Sequence, residues 1–216
     1  MKSAGPLVYL VDDDDAVRDS LGLLLRSIGL DCELYASALD FLEHYDSKRQ
    51  SCLVADIRMP GLSGLELQQR LNEQRAEVPI VFITGHGDVP MAVNAMKAGA
   101  ADFIQKPFRD QDLIDRIHKA LDADKERRAA RAELDAIRAR LALLTPRETE
   151  VMQRVVRGQA NKVIAMDLGV SQRTVELHRA RVMRKLKMRS LAELVHAVDK
   201  VTAAPGAPGT ESPSGT

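Results

Sequence analysis

The sequence predicts two domains of different fold class, an α/β domain followed by an all-α domain. In the first half, short apolar runs alternate with amphipathic helices, which is the pattern of a doubly wound parallel sheet. In the second half only helical periodicity remains. Charge divides the chain in the same way, since residues 1–122 carry 13 Lys and Arg against 20 Asp and Glu, whereas residues 145–200 carry 12 against 6. The first half therefore repels nucleic acid and the second attracts it.

Composition restricts the class of protein further. The 216 residues are 45% hydrophobic but only 3% aromatic, with no Trp, so aliphatic side chains and Met must fill the cores. The apolar run of residues 7–11 is too short for a secretory signal, and no run approaches the ~18 apolar residues of a membrane span. Cys32 and Cys52 fall in predicted strands and are expected to be buried thiols of a reducing compartment. We therefore expect a cytoplasmic protein without a membrane segment.

Five apolar runs predict the strands of the first domain. The runs are residues 7–11, 31–35, 52–55, 79–84 and 102–105. The first helix is predicted over residues 16–28, and Asp14 and Asp15 before it are interpreted as loop and helix-start residues. Its apolar face comprises Val17, Leu21, Leu24, Leu25 and Ile28. Further helices are predicted after Ser37 and over residues 91–97. Five strands with intervening helices indicate one doubly wound α/β domain.

Asp56 follows the third run directly. This run is apolar throughout, which is typical of a strand buried on both faces. After Asp56 the chain turns through residues 59–61 and begins a helix at Ser63, with Glu66 completing a capping box. This order of strand, loop and helix places Asp56 at the carboxyl edge of a parallel sheet, where open α/β folds keep their ligand crevice.

Polar residues end the other strands of this sheet as well. Asp12 and Asp13 follow the first strand, Thr84 ends the fourth and Lys106 follows the fifth. Carboxylates held together repel one another unless a cation lies between them, and an all-oxygen ligand set suits Mg²⁺. A phosphoryl group on Asp56 would be neutralised by that metal and by Lys106, with Thr84 donating a hydrogen bond. The pattern predicts a phosphoacceptor site.

The joint order of these residues resembles the receiver domain of two-component response regulators. The similarity covers roughly the first 120 residues and lies in the segments VDDDD, DIRMPGLSG, ITGHGDVP and DFIQKPF. The resemblance implies a flavodoxin-like fold, with a five-stranded parallel sheet flanked by helices. It also implies that a sensor histidine kinase phosphorylates Asp56 and that Mg²⁺ binds Asp12, Asp13 and Asp56. It also implies a cis peptide bond between Lys106 and Pro107.

The same resemblance implies a conformational switch. In receivers of this kind Thr84 and Phe103 would move inward on phosphorylation and reshape the face that contains residues 91–106. Arg58 and His86, two residues beyond the phosphoacceptor and the threonine, would modulate the lifetime of the phosphoryl group.

A helical linker is predicted after the receiver-like segment, because residues 110–144 contain neither Pro nor Gly. Apolar stripes occur at each end of this segment, and the charged residues between them lack one. One continuous helix and two helices with a frayed centre both fit the pattern, and the second stripe also suits a short coiled coil. We assign the domains to residues 1–122, the linker to 123–144, the second domain to 145–201, and a Pro/Gly/Ser-rich disordered tail to 202–216.

Four helices are predicted in the second domain. They are residues 146–156, 160–168, 172–186 and 191–201. Thr145 and Glu148 form a capping box around Pro146 at the first helical position. The turn through residues 169–171 joins the second and third of these helices in the manner of a helix-turn-helix.

The third of these helices, residues 172–186, has one apolar face and one basic face. Its predicted outward face consists of Arg173, Leu177, Ala180, Arg181 and Arg184. Arginines suit guanine edges or phosphates, and the two apolar side chains suit thymine methyl groups. Lys162, His178 and Arg179 flank this face and are expected to meet phosphates. Double-stranded DNA is the predicted ligand.

The second half resembles the LuxR-type DNA-binding domain, and the whole chain resembles the FixJ-like members of the NarL/FixJ response regulators. The matching segments are TPRETEV, NKVIAMDLGVSQRTVELHRARVMRKL and SLAELVHAV. The resemblance implies a transcriptional regulator, not an enzyme beyond self-phosphorylation and self-dephosphorylation at Asp56. Phosphorylation would promote a homodimer through a face that includes Val93 and Lys97, and activate transcription with RNA polymerase as a further partner. Two alternatives remain open: an enzyme that turns over phosphate esters at Asp56, and a receiver that is only a structural dimeriser.

Overall fold

The structure is a computed structural model that describes residues 5–85 and 89–203, with only the backbone described at Val89. It divides into two compact units between Arg128 and Ala129. Within the described ranges no helix is both long enough and apolar enough to cross a membrane.

The first unit contains the predicted five-stranded parallel sheet. Its strands are β1 (Leu7–Val11), β2 (Asp31–Tyr35), β3 (Ser51–Asp56), β4 (Ile80–Thr84) and β5 (Asp102–Gln105). They pair in the order β2-β1-β3-β4-β5, all parallel. The strand order reverses between β1 and β3, and a doubly wound sheet has its ligand crevice at the carboxyl ends of such a pair. Val11 pairs with Ala55, so Asp12 and Asp56 follow at that crevice.

Helices cover both faces of the sheet. They are α1 (Asp15–Ser27), α2 (Ala38–His44), α3 (Gly64–Glu73), α4 (Val89–Lys97) and α5 (Asp110–Leu141). The prediction that Ile28 belongs to the apolar face of α1 is wrong, since Ile28 lies just beyond the helix and is 40% exposed. The reason is that α1 ends at Ser27 and the chain turns through Gly29, which has a positive φ. Cys52 is buried as predicted, but Cys32 is only partly buried.

An aromatic cluster fills part of the core on one face of the sheet. Tyr9 packs edge-on against Phe41, with ring centroids 5.2 Å apart, and against Tyr45, at 5.7 Å. Tyr35 contacts Tyr9 and Phe41. Edge-to-face packing of this kind is favourable beyond simple burial. The opposite face has an aliphatic core that includes Leu113, Leu121 and other residues of α5.

Helix α5 runs without a break from Asp110 to Leu141, so the segment between the apolar stripes is helical and not frayed. It ends before Leu144, in a turn. The charged segment between the two apolar stripes was expected to have no buried side. This expectation is wrong, because Asp124 in that segment is only 1% exposed. Residues 123–128 belong to the first unit and residues 129–141 to the second, where Ile137 is buried.

The second unit is a four-helix bundle, and the last turns of α5 pack against it. Its helices are α6 (Pro146–Val156), α7 (Asn161–Leu168), α8 (Gln172–Leu186) and α9 (Leu191–Ala203). They enclose one aliphatic core. The predicted capping box at Thr145 is present, and buried Glu148 within it accepts a hydrogen bond from Lys185 Nζ at 2.6 Å. The prediction that the disordered tail begins at residue 202 is wrong for Thr202 and Ala203, because α9 continues through both. The rest of the predicted tail, residues 204–216, lies outside the described residues.

Candidate functional site

Two carboxylates and one lysine meet at the carboxyl edge of the sheet. Lys106 Nζ lies 3.3 Å from Asp12 Oδ2 and 3.3 Å from Asp56 Oδ1. Asp12 is buried, whereas the side chains of Asp56 and Lys106 are 13% and 35% exposed. The three predicted residues are therefore in contact, and the Asp56 carboxylate is accessible from solvent.

The two oxygens of Asp56 have different partners. Oδ1 is bound by Lys106, and Oδ2 accepts a hydrogen bond from the Arg58 backbone N–H at 2.8 Å. Burial raises the pKa of Asp56, and the like charge of Asp12 adds to the increase, although Lys106 and the Arg58 amide oppose it. Burial acts against the charged form of Lys106, but attraction to Asp56 and Asp12 outweighs it and raises the pKa of that ammonium. The lysine is therefore a firmly protonated cation.

The acidic run after β1 divides into residues with separate roles. Asp12 Oδ1 accepts the Asp14 N–H at 2.9 Å, and Asp14 caps α1 by accepting the Ala16 N–H at 2.8 Å. Asp13 is exposed. The prediction that Asp14 and Asp15 are loop and helix-start residues is confirmed by the start of α1 at Asp15.

Gly64 lies against the backbone at the end of β3, next to Asp56, and the sequence pattern did not single it out. A Cβ at this position would lie 2.4 Å from the Asp56 carbonyl oxygen and 2.9 Å from Phe82 Cε1. The capping box of Ser63 and Glu66 begins α3 at this residue. A glycine directly after a helix cap, in a helix that follows a buried strand, was the available signal.

The predicted switch residues lie on neighbouring strands. Thr84 is buried, and its carbonyl accepts the Lys106 N–H at 2.8 Å. Phe103 is partly buried against the core, and its carbonyl accepts a hydrogen bond from Arg116 Nε at 3.1 Å. The peptide bond between Lys106 and Pro107 is cis, as the resemblance implied. His86, the predicted modulator, lies outside the described residues.

The donor set at the sheet edge suits a hard divalent cation in its chemistry, because it offers carboxylate oxygens. Among the described residues, one group of three side chains has its possible ligand atoms all within 4.8 Å of one another. This group is Asp40, Glu43 and His44, which are exposed on α2. The carboxylate oxygens of Asp12, Asp13 and Asp56 do not all lie within 4.8 Å of one another. Lys106 bridges two of them instead.

Helix α8 presents the predicted basic face to solvent. The residues that are exposed there are Arg173, Leu177, Ala180, Arg181 and Arg184. The opposite side, with Val175, Val182 and Leu186, is buried in the core of the second unit. Ser171 caps the helix by accepting the Thr174 N–H at 3.1 Å.

The flanking residues differ in accessibility. Lys162 is exposed. Arg179 is partly buried and donates from Nη1 to Asn161 Oδ1 at 2.6 Å, which ties α8 to the start of α7. His178 is partly buried, and its Nδ1 is buried with no hydrogen-bond partner among the described residues. Of the three, Lys162 is therefore the side chain most open to a phosphate.

Comparison with known proteins agrees with both parts of this geometry. Residues 8–118 match the family described as response regulator receiver domain, and residues 142–198 match the bacterial regulatory proteins of the luxR family. The transcriptional regulatory protein FixJ of Azorhizobium caulinodans is 48% identical over 188 residues, covering 87% of this chain and 89% of FixJ. The chain belongs to the NarL/FixJ family of two-component response regulators.

Two further relatives extend this assignment to the whole length of the response regulator. Nodulation protein W of Bradyrhizobium diazoefficiens is 45% identical over 193 residues, covering 89% of this chain and 85% of its own length. The solved structure of the response regulator StyR has a TM-score of 0.84 at 50% identity, covering 91% of this chain and all of StyR. The regulator thus combines a receiver domain with a LuxR-type DNA-binding domain.

Proposed function

We propose that this response regulator is a transcription factor switched by phosphorylation of Asp56. A sensor histidine kinase donates the phosphoryl group, the phosphorylated receivers form a homodimer, and the paired LuxR-type domains bind DNA half-sites. The observation that carries the proposal is the acid pair bridged by Lys106 at the sheet crevice, in the same chain as an exposed basic recognition helix.

Charge at the crevice supports phosphoryl transfer to Asp56. The phosphorus–nitrogen bond of a kinase phosphohistidine breaks as a phosphorus–oxygen bond to the Asp56 carboxylate forms. Lys106, already 3.3 Å from that carboxylate, neutralises the phosphoryl oxygens. Asp12, Asp13 and Asp56 would hold Mg²⁺, which supplies further positive charge to the same oxygens when bound.

Phosphorylation would act by shifting a two-state population. Thr84, the last residue of β4, donates its hydroxyl hydrogen to the phosphoryl group. Phe103 is only partly buried and moves inward behind it. The dimer face includes Val93, which is 44% exposed on α4, and Lys97, which is exposed one turn later.

DNA binding follows from α8. A dimer doubles the number of base and phosphate contacts, so a modest gain in dimerisation produces a large gain in DNA affinity. The bound dimer would activate transcription, with RNA polymerase as the further partner.

The test compares the wild type with Asp56→Asn in Mg²⁺, with and without beryllofluoride as the phosphoryl mimic. Molar mass and affinity for a promoter fragment are measured on the same samples. We expect both to rise with the mimic for the wild type and for Asp122→Asn, an exposed acid on α5, and neither to rise for Asp56→Asn. Equal DNA affinity for all proteins under both conditions would contradict the switch and support a structural receiver. Rapid hydrolysis of a small phosphate ester would support the enzyme alternative.

A further inference from the structure

Glu176 is an exposed carboxylate near the amino end of α8, on a helix whose solvent-facing side is otherwise basic. It lies among residues that border a surface cleft, namely Ser171, Arg173, Thr174, Glu176 and Leu177. Sequence reasoning about the DNA-binding face did not include it.

The absence of an ion pair distinguishes Glu176 from the other acid of the helix-turn-helix. Asp167 on α7 is paired with Arg154 at 2.6 Å. Arg173 and Arg179 stand three residues before and after Glu176, at the spacing where helical ion pairs form. Within the described residues neither forms one with Glu176, and Arg179 is hydrogen-bonded to Asn161 instead. The carboxylate of Glu176 is thus available to a ligand.

Glu176 has a position suited to base contact. Residues at the amino end of a recognition helix meet base edges in the major groove. Glu176 is one turn before Ala180 and one turn after Arg173, and both of these lie on the exposed face of α8.

An unpaired carboxylate at a DNA interface lowers affinity for any sequence, because phosphates repel it. The same carboxylate can, however, discriminate between bases. A carboxylate accepts a hydrogen bond from the N4 amino group of cytosine, and it cannot donate to the acceptors of guanine or thymine. Adenine has an amino group as well, but its neighbouring N7 acceptor repels a carboxylate.

We propose that Glu176 is a specificity-determining residue that accepts a hydrogen bond from a cytosine amino group in each half-site. This inference rests on the proposed function, because it requires that α8 enters the major groove. It adds a direct reader of one base to a face otherwise composed of arginines and two apolar side chains.

The experiment uses full-length protein activated with Mg²⁺ and beryllofluoride, and selects bound sequences from a randomised DNA library. The variants are Glu176→Ala and Glu176→Gln. Asp199→Asn is the matched control, since it removes one exposed negative charge from α9 and leaves α8 unchanged. Affinity for non-specific DNA is measured at one fixed salt concentration.

We expect the wild type to prefer cytosine at one position of each half-site. Glu176→Ala should lower that preference roughly 5- to 100-fold while binding non-specific DNA more tightly. Glu176→Gln should shift the preference toward adenine, since an amide pairs with the adenine edge. Asp199→Asn should leave every base preference unchanged.

Two outcomes would overturn the inference, and they are distinguishable. Unchanged base preferences in Glu176→Ala, with sequence-specific binding retained, would show that Glu176 is only a solvated side chain, and the proposed function would stand. Absence of sequence-specific binding by the activated wild type would overturn both.

Discussion

The charge clusters at the two ends of strand β3 differ in their balance of acids and cations. At the carboxyl end, Asp56 and Asp12 share one lysine at 3.3 Å. At the amino end, the fully buried side chain of Asp124 accepts the Ser51 N–H at 3.0 Å and Arg128 Nε at 2.6 Å, and it is paired with Arg127 as well. Acids exceed cations at the first end, whereas at the second two arginines balance Asp124 and Glu77, whose Oε2 lies 3.6 Å from Arg127 Nε.

Charge balance, more than burial, separates the two clusters. Asp124 has its oxygens filled by an amide and two guanidinium groups, which suits a permanent structural tie. Asp56 is less buried, yet burial and the like charge of Asp12 raise its pKa, and Lys106 with the Arg58 amide offsets this only in part. A further cation would therefore be favourable at the carboxyl end of β3, whereas the acids at the amino end are already paired with arginines.

Removing the carboxylate at the amino end is expected to have the largest effect on stability. Asp124→Ala leaves the buried Ser51 amide without its acceptor and Arg128 without its carboxylate partner, at a cost of about 2–4 kcal/mol, whereas Arg127 remains paired with Glu77. Chemical denaturation followed by circular dichroism measures it. Asp122→Ala, an exposed acid on the preceding turn, should cost under about 0.5 kcal/mol. Equal costs for the two variants would show that the Asp124 cluster is not a structural tie.

A methyl group at Gly64 should disturb the carboxyl end by steric overlap. Gly64→Ala places a Cβ 2.4 Å from the Asp56 carbonyl oxygen, and we expect a loss of about 2–3 kcal/mol in the free energy of unfolding. Gly22→Ala is the control, because its Cβ would meet only side-chain atoms of Arg26 and Leu34, at 3.0 Å. If Gly64→Ala is as stable as Gly22→Ala, the close approach behind Asp56 is unimportant.

Magnesium should stabilise the carboxyl end alone. At a free Mg²⁺ concentration ten times its dissociation constant, the native state gains about 1.4 kcal/mol. Calorimetry should show the rise in melting temperature for the wild type and for Asp124→Asn, but not for Asp56→Asn. A rise of the same size in Asp56→Asn would place the ion elsewhere and remove the proposed contrast between the two ends.

A pH dependence is expected in the second unit, where Glu148 is another buried carboxylate held by several donors. The hydrogen bond from Lys185, with those from Thr145, lowers the pKa of Glu148 to about 2 from an ordinary 4.5. Its contribution is therefore complete above pH 4.5 and is lost as the pH falls toward 2. Amide exchange in α6 of the wild type and Glu148→Gln should differ most near pH 6 and converge at low pH. A difference that is constant with pH would exclude the ionised carboxylate as the cause.

The sequence predicts most of the carboxyl-end cluster because each of its residues is marked locally, by the point where an apolar strand stops. The amino-end cluster has no such mark. Asp124 lies in a charged helical segment, and the Ser51 amide that it binds is 73 residues away. Counting apolar residues along a helix cannot reveal a buried acid whose partners come from a distant strand. The exposed face of α8 follows from helical periodicity, but the bond between Arg179 and Asn161 depends on how α7 and α8 cross.

The aromatic cluster on the sheet has an optical consequence. All Phe and Tyr residues lie between Tyr9 and Phe108, and there is no Trp. Tyrosine emission and near-ultraviolet dichroism thus arise from the receiver alone, from rings 5.2–6.3 Å apart around Tyr9 and Phe41. The LuxR-type domain contributes no aromatic signal at these wavelengths, because it contains no Phe, Tyr or Trp. A single tryptophan introduced there would report its unfolding on a separate channel, so the two units can be melted in one cuvette and followed independently.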